Sequence, residues 1–587
     1  MQYTKRRSDC PWYNTFMTTY QVAEGPSGDH DLHEYSPLVA QLLWNRGFRT
    51  KAEAEVFLNP NYDDRHDPFL MKDLDKAIAR IKKAIDANEK ITIYADYDAD
   101  GIPGSVVLGS LFDKIGYTNY DTYLPHRHDE GYGIHIDALN SIKQSGTSLV
   151  VTIDVGITGH EAATWCKEND IDLIITDHHL PTLDANGNDM LPDAFAVVNP
   201  KRSDCDYPDP MLCGAGVAFK LAEGFLNRYR DNYQIPDGWE KWLLDLVGMA
   251  TVSDMVPLVN ENRILATYGL LVLKKTKRPG LKKLMWDAGI SIKHLDEEDI
   301  GFGISPKINA ASRMSHPEDA LAVLKATDDV TATAAVAHLT KLNNDRKRLV
   351  AQTTKAAYAK LEKRNIGNVI VVGSSDWQAG ILGLVASKLV ERYHKPAFVW
   401  SEENGEIKGS CRTWNGTHLV DLMSKAVPET FLQFGGHAEA GGFSCAKAEV
   451  HFLEERLNEA FLKLETTEED ESPLVVDIEL NLDDVTMKNY QDISQLAPFG
   501  VGNPKPVFMF RGVVPTTIGS FGKTKEHLEI SFEQSGGKEI RAIAFFKDAE
   551  SFGTRLKEGS PIDLVAHIEH SVFRGKSELR LKIIDIQ

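Results

Sequence analysis

The chain lacks any run of eighteen apolar residues, so a membrane-spanning helix is not expected. Residues 1–16 are basic but lack the apolar stretch of a secretory signal, which leaves a cytoplasmic protein as the expectation. Cysteine is scarce, with six in 587 residues and no CxxC pair. The spread of Cys10, Cys166, Cys205, Cys213, Cys411 and Cys445 argues against a disulfide framework and against a Cys-based zinc site. All six are expected to be ordinary thiols. Positive charge is also short: 65 Lys and Arg stand against 85 Asp and Glu, a formal net charge of −20. Nucleic-acid binding usually leaves a basic footprint, and the total counts against it. Affinity, however, depends on where Lys and Arg are placed, and bound metal would neutralise part of the acid.

What is present is enough chain for several domains of about 100–200 residues each. Residues 1–90 read as a helical lead-in, with apolar spacing at Leu38, Val39, Leu42 and Leu43 and again at Leu74, Ile78, Ile81 and Ile85. Short apolar runs then alternate with amphipathic segments. Strands are expected at 91–94, 150–153, 173–175 and 196–198, the α/β signature of a mostly parallel sheet over 91–316. Residues 318–366 contain neither Gly nor Pro, and one or two long helices are expected to form a helical connection over 317–366. A smaller α/β domain is expected over 367–465, opening with the strand-like 369–372. The acidic stretch 465–471 reads as a linker. Beyond it, strand-like segments at 507–510, 528–532, 540–545, 562–568 and 579–584 point to a small β-barrel within 466–587.

The most informative segment is Asp96-Tyr97-Asp98-Ala99-Asp100-Gly101, directly after the first expected strand. Three carboxylates at alternating positions repel one another unless a cation lies among them. Carboxylate oxygens suit Mg²⁺ and Mn²⁺. Ligands in open α/β sheets bind beyond the carboxyl ends of the strands, where this cluster belongs. An acidic loop is the plain alternative. An EF-hand fails, because position 12 counted from Asp96 is Val107. Asp154 follows the next strand, Asp177-His178-His179 the third, and Asp254 lies further on. A lone Asp at a strand end is usually a turn former or helix cap. Four such placements feeding one sheet edge are harder to dismiss.

These ordered segments resemble the motifs of the DHH phosphoesterases. The stretch Pro125 to Gly133, with Arg127 and Glu130-Gly131-Tyr132-Gly133, and the stretch Ile308 to Arg313 resemble its RecJ-type branch. Gly409-Ser410-Cys411-Arg412 and Gly435-Gly436-His437 look like the DHH-associated domain, and residues 498–504 like the opening of a RecJ-type OB-fold. The resemblance implies a single-stranded-DNA-specific 5′→3′ exonuclease acting in DNA repair and recombination, with a single-strand-binding protein or a helicase as candidate partner. It also implies two Mn²⁺ or Mg²⁺ ions. Asp96 and Asp98 would serve one, Asp100, His178 and Asp254 the other, and Asp154 would bridge. His179 would touch the scissile phosphate or assist proton transfer. Arg127, Arg313, Ser410, Arg412 and His437 would grip phosphate, a task for which arginine's planar fork is suited.

The sequence departs from the family pattern at Pro103, Ser305, Lys307 and Ser312 and at Trp377-Gln378-Ala379, none of them an implied metal ligand. In the C-terminal barrel Phe521, Lys523, Lys525, His527, Phe573, Arg574 and Lys576 mix aromatic and basic groups as a strand-tracking surface would. Two other readings use the same motifs: a phosphodiesterase for small nucleotides, and a non-catalytic nucleic-acid-binding scaffold. The first has no need of the C-terminal barrel, and the second no need of clustered like charges.

Overall fold

A computed structural model describes residues 19–464 and 473–587, apart from 404, 415, 523, 524, 526, 553–555, 574 and 575 and the side chains of 572–576. The basic opening segment, Cys10, the acidic linker and the side chains of Lys523, Phe573, Arg574 and Lys576 lie outside the described residues. The chain divides into two compact units. The larger spans Tyr62–Glu469, and the smaller joins the residues before it to those from Asp470 onward.

The larger unit is built on a parallel sheet. We label its strands β1 (Lys90–Ala95), β2 (Tyr120–Tyr123), β3 (Thr147–Ile153), β4 (Asp172–Thr176) and β5 (Ala196–Val198). All pair in parallel in the order β2-β1-β3-β4-β5. The central strands read as continuous apolar runs because helices cover both faces. One face packs against Leu74–Asp86, Gly101–Lys114 and Gly214–Tyr229, the other against Ile136–Gln144 and His160–Glu168. The edge strand β2 (Tyr-Asp-Thr-Tyr) has no apolar run, which is why its sequence did not announce it. The chain reverses its strand order between β1 and β3, and in such sheets that switch point is where ligands bind.

The segment after this sheet holds two helices, Glu318–Lys325 and Asp329–Leu361. Asp328 separates them: its side chain accepts from the N–H groups of Val330 and Thr331 and starts the second helix. A second, mixed sheet follows, whose five strands lie in the order Gln433–Gly436, Ala440–Ala446, Glu406–Arg412, Ala397–Glu403, Ile370–Gly373.

The smaller unit corrects the lead-in reading. Helices Pro37–Asn45 and Lys51–Leu58 share a core with the C-terminal strands through Leu42, Leu43, Phe508, Phe510, Phe532 and Leu564. The helix Leu74–Asp86, with Tyr62, Phe69 and Met71 before it, packs with the parallel sheet. Tyr20–Val22 pairs in parallel with Leu474–Val476, which ties the start of the described chain to the C-terminal unit. The sheet of that unit has seven strands, two of them, Ile478–Glu479 and Pro515–Phe521, additional to those expected. Among the described residues no hydrogen-bonded pairing joins its two edge strands, so it is an OB-type sheet without ladder closure. Cys166, Cys205, Cys213, Cys411 and Cys445 are free thiols.

Candidate metal centre and phosphate site

The strand register assembles the site. Ala95 pairs with Ile153 at the ends of β1 and β3, and Thr176 pairs with Val198 at the ends of β4 and β5. The next residue of each strand is Asp96, Asp154, Asp177 and Asn199. Three backbone bonds hold them in a row: Asp96 N–H to the Ile153 carbonyl (3.1 Å), Asp154 N–H to Thr176 (2.9 Å) and Asp177 N–H to Val198 (3.1 Å). Sheet geometry alone therefore lines polar side chains along one edge, at the switch point.

Each member is then aimed by local chemistry. Asp98 Oδ1 accepts from the N–H groups of Asp100 (2.8 Å) and Gly101 (3.1 Å), which folds the cluster into a tight turn. A Cβ on Gly101 would stand 2.5 Å from the Asp96 carbonyl oxygen, so the turn requires glycine. Asp100 accepts from Gly214 and Ala215, the first N–H groups of the helix Gly214–Tyr229, at 2.6 and 2.7 Å. Asn309 Oδ1 accepts from Ala99 N–H at 2.9 Å. The Asn309 side chain thus braces the aspartate turn. Asp154 has φ +63°, a left-handed conformation that costs about 1–3 kcal/mol and is retained at sites that use it.

Asp177 is fully buried and spends both oxygens within the protein. Oδ1 accepts from His178 N–H, His179 N–H and His179 Nδ1, and Oδ2 from Ile157 N–H. It is the brace that orients the histidines, the role that carboxylates behind metal-site imidazoles play. His178 Nε2 stands 3.1 Å from Asp154 Oδ1, 3.7 Å from Asp254 Oδ2 and 3.8 Å from Asp100 Oδ2. Two ligand sets emerge, Asp96/Asp98/Asp154 and Asp100/His178/Asp254. A third, Asp154/His178/His179, overlaps both, and within each set the ligand atoms lie within 4.8 Å of one another. All six sequence-derived candidates therefore meet at one place.

The electrostatics of this cluster call for cations. Burial and then the neighbouring Asp98 push the Asp96 carboxyl well up and that of Asp100 to about 7. Burial followed by Asp100 and Asp98 raises Asp154 strongly and Asp254 to about 9. Burial, then His179, lowers His178 to about 3, so it is a neutral imidazole able to bind metal. For His179 burial works downward, but the bond to Asp177 outweighs it and carries the ring to about 9. Asp96 Oδ1, Asp154 Oδ1 and His178 Nε2 are buried without a hydrogen-bond partner. Buried carboxylate oxygens left unsatisfied beside a neutral imidazole fit hard divalent cations of the Mg²⁺ and Mn²⁺ kind.

Beside this row lies a cluster of guanidinium groups. Burial, then Arg127, Arg346 and Arg412, drive Arg313 down to about 9. Arg313 Nη1 donates to the Gly380 carbonyl at 3.1 Å, and its own carbonyl faces His128 Nε2 at 3.1 Å. A Cβ on Gly380 would stand 2.3 Å from the Arg313 carbonyl, so this seam also requires glycine. Ser410 and Arg412, two residues apart on one strand, share a face. A Cβ on Gly383 would stand 3.0 Å from Arg412 Nη2 and 3.6 Å from Ser410 Cβ. Arg127 lies 4.9 Å over the Tyr97 ring. The His437 ring lies parallel to that of His179 with centroids 6.3 Å apart, which brings the second lobe to the metal row.

Four neighbouring residues escaped sequence reading: Arg346, Asp177, Lys201 and Tyr132, whose hydroxyl is 3.1 Å from His179 Nδ1. Asp177 and Tyr132 were within reach, because both stand inside quoted motifs. Arg346 sits mid-helix with no motif to mark it. Lys307, a departure from the family pattern, is bound to Asp287 at 2.7 Å and serves packing.

Comparison with known proteins falls on these same elements. The DHH family N-terminal domain matches residues 90–251 and the DHHA1 domain residues 366–467, so the larger unit is that of a DHH-type protein. The RecJ OB domain matches residues 476–585. The chain is 37% identical to the single-stranded-DNA-specific exonuclease RecJ of Bacillus subtilis (strain 168) over 94% of its own length and 68% of the relative's. It is 30% identical to that of Escherichia coli (strain K12), over 94% and 96%. The crystal structure of RecJ in complex with Mn²⁺ from Thermus thermophilus superposes with a TM-score of 0.79 at 25% identity, covering 97% of this chain and 79% of that one. The chain belongs to the RecJ family.

Proposed function

We infer that this protein is a metal-dependent exonuclease that removes nucleotides from single-stranded DNA, starting at the 5′ end. The observation that carries this is the adjacency of two ligand sets, Asp96/Asp98/Asp154 and Asp100/His178/Asp254, to an arginine cluster that has no carboxylate partner among the described residues. Asp96, Asp98 and Asp154 would hold one divalent cation and Asp100, His178 and Asp254, with Asp154, the other. Such a pair polarises a phosphoryl group and supplies a nucleophile at neutral pH.

The chain's own residues do the rest. His179, held through Nδ1 by Asp177, keeps Nε2 for the reacting phosphate, with the His437 ring lying parallel to its own. Arg127, Arg313, Ser410 and Arg412 take the terminal phosphate, which sets the distance from the strand end to the metals and hence the removal of one terminal unit at a time. The OB-type unit supplies stacking surface for the remaining strand. The protein works on cytoplasmic DNA during repair and recombination, with a single-strand-binding protein or a helicase delivering single strands. Digestion of 5′-phosphorylated against 5′-hydroxyl single strands tests the reading. Preference for the phosphate that disappears in Arg412→Ala supports it, and equal rates on both ends in wild type and variant overturn the terminal-phosphate assignment.

A further inference from the structure

Lys201 stands on the loop that leaves β5, two residues past the Asn199 that ends the polar row. Asn199 is fully buried and clamps this loop: its Nδ2 donates to the His179 carbonyl at 2.9 Å, and its Oδ1 accepts from Lys201 N–H at 2.8 Å. The half-buried Lys201 ammonium is within electrostatic reach of Asp254, Asp177 and Asp154, of His178, and of His437 on the second lobe. The Asn199 clamp thus pins the Lys201 backbone beside His179, at the end of the polar row.

Buried lysines elsewhere in this protein are paired. Lys220 meets Glu223 at 2.8 Å and Glu261 at 2.7 Å, and Lys307 meets Asp287 at 2.7 Å. Lys201 makes no ion pair within 4.0 Å among the described residues, although three carboxylates are near. Asp154 and Asp254 belong to the metal row, and Asp177 is spent on bracing the histidines. Ionised Asp96, Asp98, Asp100, Asp154 and Asp254 carry five negative charges, and two divalent cations offset four. A phosphodiester adds another negative charge, and attack by hydroxide adds one more as the transition state forms. A fixed cation facing that phosphate would be at its most useful at that moment.

We propose that Lys201 is a catalytic residue whose ammonium donates to a non-bridging oxygen of the scissile phosphate, so that it neutralises charge that develops during attack. The proposal rests on the nuclease reading above. Its strength lies in an opposition of signs. A lysine beside bound cations repels them, so its removal should leave metal binding unchanged or tighter while slowing the reaction.

The test uses full-length wild type, Lys201→Met and Lys201→Arg. Single-turnover digestion of a single-stranded oligonucleotide at saturating Mn²⁺ is read beside Mn²⁺ affinity by calorimetry. The expected result is a rate about 100-fold lower in Lys201→Met, with Mn²⁺ bound at least as tightly and part of the rate regained in Lys201→Arg. A rate close to wild type overturns the proposal. So does a slow variant that also binds Mn²⁺ more weakly, because Lys201 would then be scaffolding for the ligands. The wild type reads the underlying activity separately: if it leaves single strands intact, the nuclease reading fails and this proposal with it.

Discussion

A Cβ built on Gly214 would stand 2.5 Å from the Cβ of Asp154. The first residue of the helix Gly214–Tyr229 thus presses directly against Asp154 of one ligand set, while its N–H binds Asp100 of the other at 2.6 Å. Gly214→Ala must push Asp154 out of the row. We expect a folded protein, destabilised by about 1–3 kcal/mol, that has lost about 100-fold or more in activity. Thermal unfolding and single-strand digestion, read together, check this. A variant with wild-type activity would contradict the packing described here.

The raised carboxyls make the metal-free protein pH-sensitive in a definite direction. Asp100 at about 7 and Asp254 at about 9 bind protons more tightly folded than unfolded, where 3.8 is the ordinary value. Their contribution to stability is whole below pH about 4 and is lost as pH rises through 7 and then 9. In chelator, stability should therefore fall between about pH 5 and pH 9. Saturating Mn²⁺, which favours the ionised ligands, should flatten or reverse that slope. Unfolding temperatures across this range, with and without metal, make the comparison. An identical slope in both conditions would count against the cluster as the metal site.

Arg412 and Ser410 share one strand face beside Arg313. Arg412→Ala should raise KM for 5′-phosphorylated single strands by about 10- to 100-fold, the worth of charge-assisted bonds to phosphate, with a smaller effect on kcat. Steady-state kinetics on both kinds of end provide the check. Arg313→Lys should also be impaired, because the fork that holds the Gly380 carbonyl is lost.

The C-terminal unit carries an aromatic cluster that sequence reading only half located. Phe521 and His527 pack together, but Phe545 and Phe546 complete the group, with Phe546 78% exposed at φ +55° and its N–H bound to His527 Nδ1 at 3.0 Å. An exposed ring on an OB-type sheet offers a platform for a base, worth about 1–3 kcal/mol. Phe546→Ala should weaken binding of long single strands about tenfold, measured by anisotropy, and leave hydrolysis of very short oligonucleotides intact. Unchanged affinity would remove this ring from the binding surface.

Asp96, Asp154 and the Asp177-His178-His179 run were legible because they follow strands, and strand ends on one sheet edge converge by geometry; Asp254 instead comes from the end of the helix Leu244–Ser253, not from the sheet edge. The register that aligns Asp96, Asp154, Asp177 and Asn199 was not legible, since pairing between strands leaves no mark on either one alone. The same reason hid Lys201, whose role depends on which side chains face it across the loop. Residues 1–90 read as one helical segment because the apolar spacing at Leu38 to Leu43 and at Leu74 to Ile85 is helical. Spacing cannot say which core a helix joins, and Leu42 and Leu43 bury against Phe508 and Leu564, far along the chain. The edge strand at Tyr120–Tyr123 was lost for a local reason, the lack of an apolar run, and the place of the break at Asp328 was unmarked because no Gly or Pro stands there.

The central claim is that one shared metal site cuts single-stranded DNA from its end. It is tested most directly by Mn²⁺-dependent digestion of end-labelled single- and double-stranded oligonucleotides, beside an Asp154→Ala control. The account predicts rapid loss of the single strand from its 5′ end, little loss of the duplex, and no digestion by the variant. Digestion of blunt duplex as fast as single strand, or retained activity in Asp154→Ala, would contradict it.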